Sequence, residues 1–198
     1  MRYTEIRETT PNLLKAIHAH IVQQIDSEMT MDEVAASYHE LMSQLQFPLK
    51  IYRALSLSED HWFDAHEDEL DGHKDRDDIE RLAKDIDFNQ IGVCWTFDRA
   101  AAFSGGALGG GAGNHDGAHI ILEATITEKQ CDMTVTLYQN LTVFQEEKEV
   151  RLWADMPLLI TGMTPSLLPL PIRVNTGPAG HYSRESVLRD LIQASRGY

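Results

Sequence analysis

The chain has 198 residues, 42% of them apolar, which is enough for one packed domain and ordinary for a soluble fold. Its formal net charge of −14 repels phosphate backbones, so a sequence-independent grip on nucleic acid is disfavoured, although a small basic cleft for an anionic ligand is not. The opening MRYTEIRETTPNLL lacks the apolar run of a secretory signal and no stretch approaches the ~20 apolar residues of a membrane span, so no membrane association and a cytoplasmic location, in the producing cell or in a target cell, are expected.

From the N-terminus, Pro11 suits the first turn of a helix in which Leu14, Ile17, Ile21 and Ile25 recur at helical spacing. Thr30 caps a second helix, with Asp32 and Glu33 in its first turn and Val34, Tyr38, Leu41 and Leu45 as its apolar stripe. Residues 11–46 therefore predict a helical hairpin that stops before Pro48. The period then changes. LKIYRALSL alternates as a strand, with Ile51, Arg53 and Leu55 on one face and Tyr52 and Ala54 on the other.

Residues 59–80 are crowded with Asp and Glu, and DDIERLAKDI follows as a short helix. GVCWTF (92–97) predicts a strand, and DRAAAF (98–103) a helix capped by Asp98. SGGALGGGAGNHDG (104–117) predicts a mobile glycine-rich loop. HIILEATIT (119–127), DMTVTLY (132–138), EVRLW (149–153) and PLLITGM (157–163) predict further strands. LLPLPIRV leads to a last helix, SRESVLRDLIQAS, capped by Ser183. Helices followed by many short strands predict an α+β fold. Its expected segments are an N-terminal helical part (1–47), a sheet core (48–165) and a C-terminal extension (166–198).

Several chemistries lack their residue patterns. Nine histidines show no HExxH or Cys/His spacing, His18 and His20 point to different sides of one helix, and the acidic run lacks the calcium-loop spacing, so no metal is expected. The glycine segment lacks the P-loop Lys-Ser/Thr, and no Gly-x-Ser-x-Gly elbow occurs. Cys94 and Cys131 have no disulfide or metal spacing, and a reducing compartment is the default reading.

Three fragments gain weight when taken in order. IYRAL puts Arg53 on a strand between apolar neighbours, where a guanidinium calls for an anion such as phosphate. GVCWTFDRAAAF puts Cys94 and Thr96 on one strand face, just before a helix. QEEKEVRL puts Glu147 and Glu149 two apart, on one face of the entering strand. A charged strand entrance with no chemistry is the plain alternative.

Arginine, short polar pair and paired glutamates, each at a strand, resemble the Arg–Ser–Glu type of the ADP-ribosyltransferase family over roughly residues 48–165. The matches are IYRAL (51–55), CWTFDRAAAF (94–103) and EKEV (147–150). Cys94 and Trp95 stand where the family has Ser and Thr, which leaves Thr96 as the hydroxyl of that element. Gln145-x-Glu147 also fits the family's final motif; Glu147-x-Glu149 is preferred because Val150 and Leu152 continue the strand.

The resemblance implies a split mixed β-sheet core and NAD as co-substrate, with no metal. It implies Glu149 and Glu147 as catalytic residues and Arg53, Ala54, Cys94 and Thr96 as NAD-binding residues. Glu149 would hold the ribose 2′-hydroxyl and stabilise an oxocarbenium-like centre, and Glu147 would orient or deprotonate the acceptor. Arg53 would hold the phosphates, the main chain at Ala54 the nicotinamide amide, and Cys94 with Thr96 would place the ribose and Glu149. The Glu-x-Glu pair implies a macromolecular acceptor, a protein arginine first of all, as in a toxin or effector. NAD glycohydrolysis and transfer to nucleic acid are the variants; an acidic interaction protein without catalysis is the rival class. Oligomeric state is left open.

Overall fold

The computed structural model describes residues 10–56, 92–103, 119–142, 148–164, 170–173 and 183–195. The acidic run at 59–80, the helix read at 77–86, the glycine-rich segment and Glu147 all lie outside these residues.

Helices α1 (Thr10–Gln24) and α2 (Met31–Gln44) form where the apolar spacing places them. Leu13, Leu14, Ile17 and Ile21 of α1 are buried, but Ile25 follows the helix end and is half exposed. Thr30 caps α2 through a reciprocal box: its hydroxyl accepts from the Glu33 N–H, and the Glu33 carboxylate accepts from the Thr30 N–H at 2.8 Å. The helix ends at Gln44, four positions before Pro48.

The strands are β1 (Leu49–Ser56), β2 (Cys94–Thr96), β3 (His119–Ile126), β4 (Glu149–Arg151), β5 (Pro157–Thr164) and β6 (Leu170–Arg173). They join in one six-stranded sheet in the order β4-β2-β1-β3-β5-β6. The α+β class holds. The expected mixed, split sheet does not appear among the described strands, because every neighbouring pair runs antiparallel. Burial is one-sided from Leu122 onward: Leu122, Ala124 and Ile126 of β3 are buried, whereas Glu123 and Thr125 between them are not, and Ile121 before them is buried on the other face. β1 and β3 pair over all eight residues, Leu49 with Ile126 through Ser56 with His119.

Three more α-helices, α3 (Arg99–Phe103), α4 (Met133–Thr142) and α5 (Arg184–Ser195), and a short 3-10 turn at Glu128–Gln130 complete the described elements. Asp98 caps α3, accepting from the Ala100 N–H at 2.8 Å, and Ser183 caps α5, accepting from the Ser186 N–H at 3.2 Å. Residues 132–138, predicted as a strand, instead lie largely in α4. Thr134, Val135 and Thr136 favour strand locally, but Asp132 opens a helix by accepting from the Val135 N–H through its side chain and the Thr136 N–H through its carbonyl. Helix α4 is buried from Val135 to Thr142, so its polar residues Thr136, Gln139 and Asn140, although spaced one turn apart, face protein and not solvent.

One cluster of buried side chains runs through α1, α2, the sheet, α4 and α5. It includes Ile17, Leu41, Ile51, Trp95, Leu122, Val135, Val150 and Leu191. No helix among the described residues is long and apolar enough to cross a membrane.

Candidate active site

Strand β4 is the outer strand of the sheet, and its register on β2 sets the site. Thr96 stands opposite Glu149, Trp95 opposite Val150 and Cys94 opposite Arg151. Side chains directly opposite share a face. Trp95 and Val150 are both fully buried in the core, so Cys94, Thr96, Glu149 and Arg151 share the other face.

Arg53 arrives from β1 by a less direct route. Tyr52 is the residue opposite Thr96, and alternation sends Arg53 to the face of Ile51. Its guanidinium nonetheless reaches the seam between the strands, where Nη1 donates to the Cys94 carbonyl. The backbone leaves room there at Gly92, where an added Cβ would stand 3.4 Å from Arg53 Nη2. Arg53 Nε is buried without a hydrogen-bond partner.

Glu149 is the chemical centre of the cluster. It is only 4% exposed. Burial pushes its carboxyl above the ordinary carboxylate range, while hydrogen bonds from the Cys94 thiol and the Gln139 amide and the nearby Arg151 and Arg53 charges hold it down. One carboxylate oxygen, Oε1, has no partner. Burial, with the Glu149 charge, pushes the Cys94 thiol up to about 12, so it stays protonated and can donate to that carboxylate. Arg151 Nη1 in turn donates to Cys94 Sγ at 2.7 Å.

Thr96 occupies a different niche. Its buried hydroxyl donates to the Lys148 carbonyl at 3.1 Å and accepts from the Asp98 N–H at 3.1 Å. Lys148 has a positive φ of 48°, and the Phe97 N–H also donates to its carbonyl at 3.1 Å. The Lys148 ammonium pairs with Asp98 at 2.9 Å. These four contacts tie the start of β4 to the β2–α3 turn, so Thr96 fixes the residue immediately before Glu149.

The structure therefore brings Arg53, Cys94 and Glu149 together, with Thr96 bracing their frame. Ala54 is half-buried and pairs with Ile121, one position along β1 from Arg53. Glu147 falls outside the described residues. Two members were missed by sequence reasoning. Arg151 was open to discovery, since it lies two positions after Glu149 on the same strand face. Gln139 was hidden by the strand reading of 132–138.

The cluster combines two guanidiniums, a protonated thiol and one buried carboxyl with an unpaired oxygen. Such a set can hold an anionic group and, beside it, a hydroxyl donor or a developing positive charge. No group of three or more His, Cys, Asp or Glu side chains suited to a metal occurs among the described residues. Comparison of the chain with family models, curated proteins and solved structures finds no match.

Proposed function

We propose that the protein is a mono-ADP-ribosyltransferase of the Arg–Ser–Glu type, with a protein arginine side chain as acceptor. The observation that carries this reading is the buried Glu149, with Oε1 unpaired and its carboxylate flanked by Cys94, Arg53 and Arg151. Coming from three separate segments of the chain, these groups are gathered by the β4-β2-β1 order of the sheet.

NAD fits the chemistry of this set. A ribose 2′-hydroxyl is a donor suited to Glu149 Oε1, and a pyrophosphate is the anion suited to Arg53, whose buried Nε lacks an acceptor. Cys94 supplies the short donor to Glu149 that a serine supplies in the family. In the reaction the nicotinamide–ribose C–N bond breaks and its electron pair leaves with nicotinamide. Ionised Glu149 stabilises the positive charge that develops on the ribose. The acceptor nitrogen then bonds to the ribose carbon, and Glu147 takes the proton it loses. Cytoplasmic action and a role as a toxin or effector belong to this reading.

Incubating the full chain with NAD tests it. Release of free nicotinamide, and transfer of label from adenylate-labelled NAD to protein in a lysate, are the expected results. Release without transfer would make the protein a NAD glycohydrolase. Absence of both, with no heat of NAD binding by calorimetry, would overturn the reading in favour of a non-enzymatic interaction protein.

A further inference from the structure

Strand β4 lies at the rim of the sheet, where its outward N–H and C=O groups would have no strand to pair with. Helix α4 takes that place. The Thr136 hydroxyl accepts from the Arg151 N–H at 3.0 Å, and the Asn140 amide donates to the Glu149 carbonyl at 2.6 Å. These two residues are one helical turn apart, so they line the same side of α4. Just before the helix, the Asp132 N–H donates to the Arg151 carbonyl at 2.7 Å, and Cys131 bridges Leu152. The helix thus closes the sheet edge by side-chain hydrogen bonds, and it does so at the residue that carries the candidate carboxylate.

Gln139 sits between Thr136 and Asn140 in this sequence and is 2% exposed. Its side-chain amide hydrogen-bonds the Glu149 carboxylate, and its Oε1 is buried without a partner. A buried glutamine with only its donor end engaged is a costly choice for packing alone. We propose that Gln139 is a positioning residue for Glu149: together with Asn140 it clamps the side chain and main chain of that residue, so that one carboxylate oxygen is held and Oε1 is turned to the ribose. This rests on the transferase reading for its catalytic consequence, although the clamp itself does not.

The test uses the full chain with Gln139→Met, which keeps the volume and removes the amide, and Gln139→Glu, which keeps the shape and adds a titrating group. Two readouts are needed: kcat and KM for NAD, and the Glu149 carboxyl titration by carbon-detected NMR, assigned by its loss in Glu149→Gln. Around that carboxyl stand Arg53 from β1, Cys94 from β2 and Arg151 from β4 itself; from α4 the contact is the uncharged Gln139. Gln139→Met should lower kcat by about 10- to 100-fold, the worth of a hydrogen bond to a charged group, with KM nearly unchanged. Its Glu149 midpoint should move up, since a hydrogen bond to the ionised form is lost.

Gln139→Glu should be most active on the acid side, where the introduced carboxyl is protonated and can still donate, and should lose activity as both carboxyls ionise. A folded Gln139→Met with wild-type kcat and an unmoved midpoint overturns the proposal. So does a Gln139→Glu profile that matches wild type, and that variant decides alone if the methionine variant does not fold. If the wild-type chain releases no nicotinamide, the transferase reading fails, while the carboxyl titration still decides whether Gln139 holds Glu149.

Discussion

On the transferase reading, replacing Glu149 by Gln separates catalysis from folding at a single atom. The substitution keeps the shape and removes the charge that would face the ribose. Glu149 is 4% exposed, so solvent screens it weakly. A unit charge ~4 Å from a developing cation is worth about 4 kcal/mol at an effective dielectric of about 20, or roughly a thousandfold in rate. Nicotinamide release by Glu149→Gln should fall by about that factor.

Stability should move the other way. Burial raises the Glu149 pKa, so its contribution to stability is full below the unfolded pKa and is lost as pH rises through the folded one. Where the side chain is ionised it is a cost, and the glutamine variant lacks that cost. Thermal melting near neutral pH should therefore be no lower than wild type, and the two melting curves should converge at acid pH. Chromatography of released nicotinamide and melting across a pH series measure both effects. A folded variant within about tenfold of wild-type turnover would refute the catalytic role. A melting temperature that falls sharply near neutral pH would refute the claim that Glu149 is held ionised at a cost.

Arg53→Ala should raise KM for NAD by about tenfold or more, with a smaller change in kcat, because a phosphate partner is lost; an unchanged KM removes Arg53 from the site. Cys94→Ser should keep or improve turnover, since a hydroxyl is a better donor to Glu149 than a thiol, and severe loss in the folded variant would break the correspondence with the family serine. With Cys94 and Cys131 both pushed up to about 12 by burial, neither is a thiolate at neutral pH. Alkylation should therefore be slow until the protein unfolds, and rapid labelling of the native chain would contradict the protonated state of the thiols. Arg184→Ala removes an ion pair to the buried Asp132 and a guanidinium 4.5 Å from the Trp153 ring centre. It should cost about 3 kcal/mol, or about 6–12 °C in melting temperature, and a shift under a degree or two would show the pair to be dispensable.

Much of the architecture follows from local rules. Thr30, Asp98 and Ser183 each cap the helix that their sequence context marks, because capping depends on a few neighbouring N–H groups. The alternation in LKIYRALS sets up β1, and the apolar, β-branched run of HIILEATI sets up β3. The 132–138 segment shows where local rules fail. Its β-branched residues favour a strand, but burial on every side and an Asp132 cap make it a helix, and its polar side, Thr136 and Asn140, turns to β4 and not to solvent.

Residue types and spacing by themselves determined the α+β class, most of the helices and the placing of Arg53, Cys94, Thr96 and Glu149 at strands. The pairing of β4 with β2 rather than with β5, its neighbour in sequence, came only from the tertiary structure. So did the reach of Arg53 across the β1–β2 seam, the commitment of the Thr96 hydroxyl to Lys148, and the closing of the sheet edge by α4. The physical reason is range. Caps and alternation act between residues a few positions apart, whereas the desolvation of Glu149 and the groups that offset it depend on segments that meet only when the core forms.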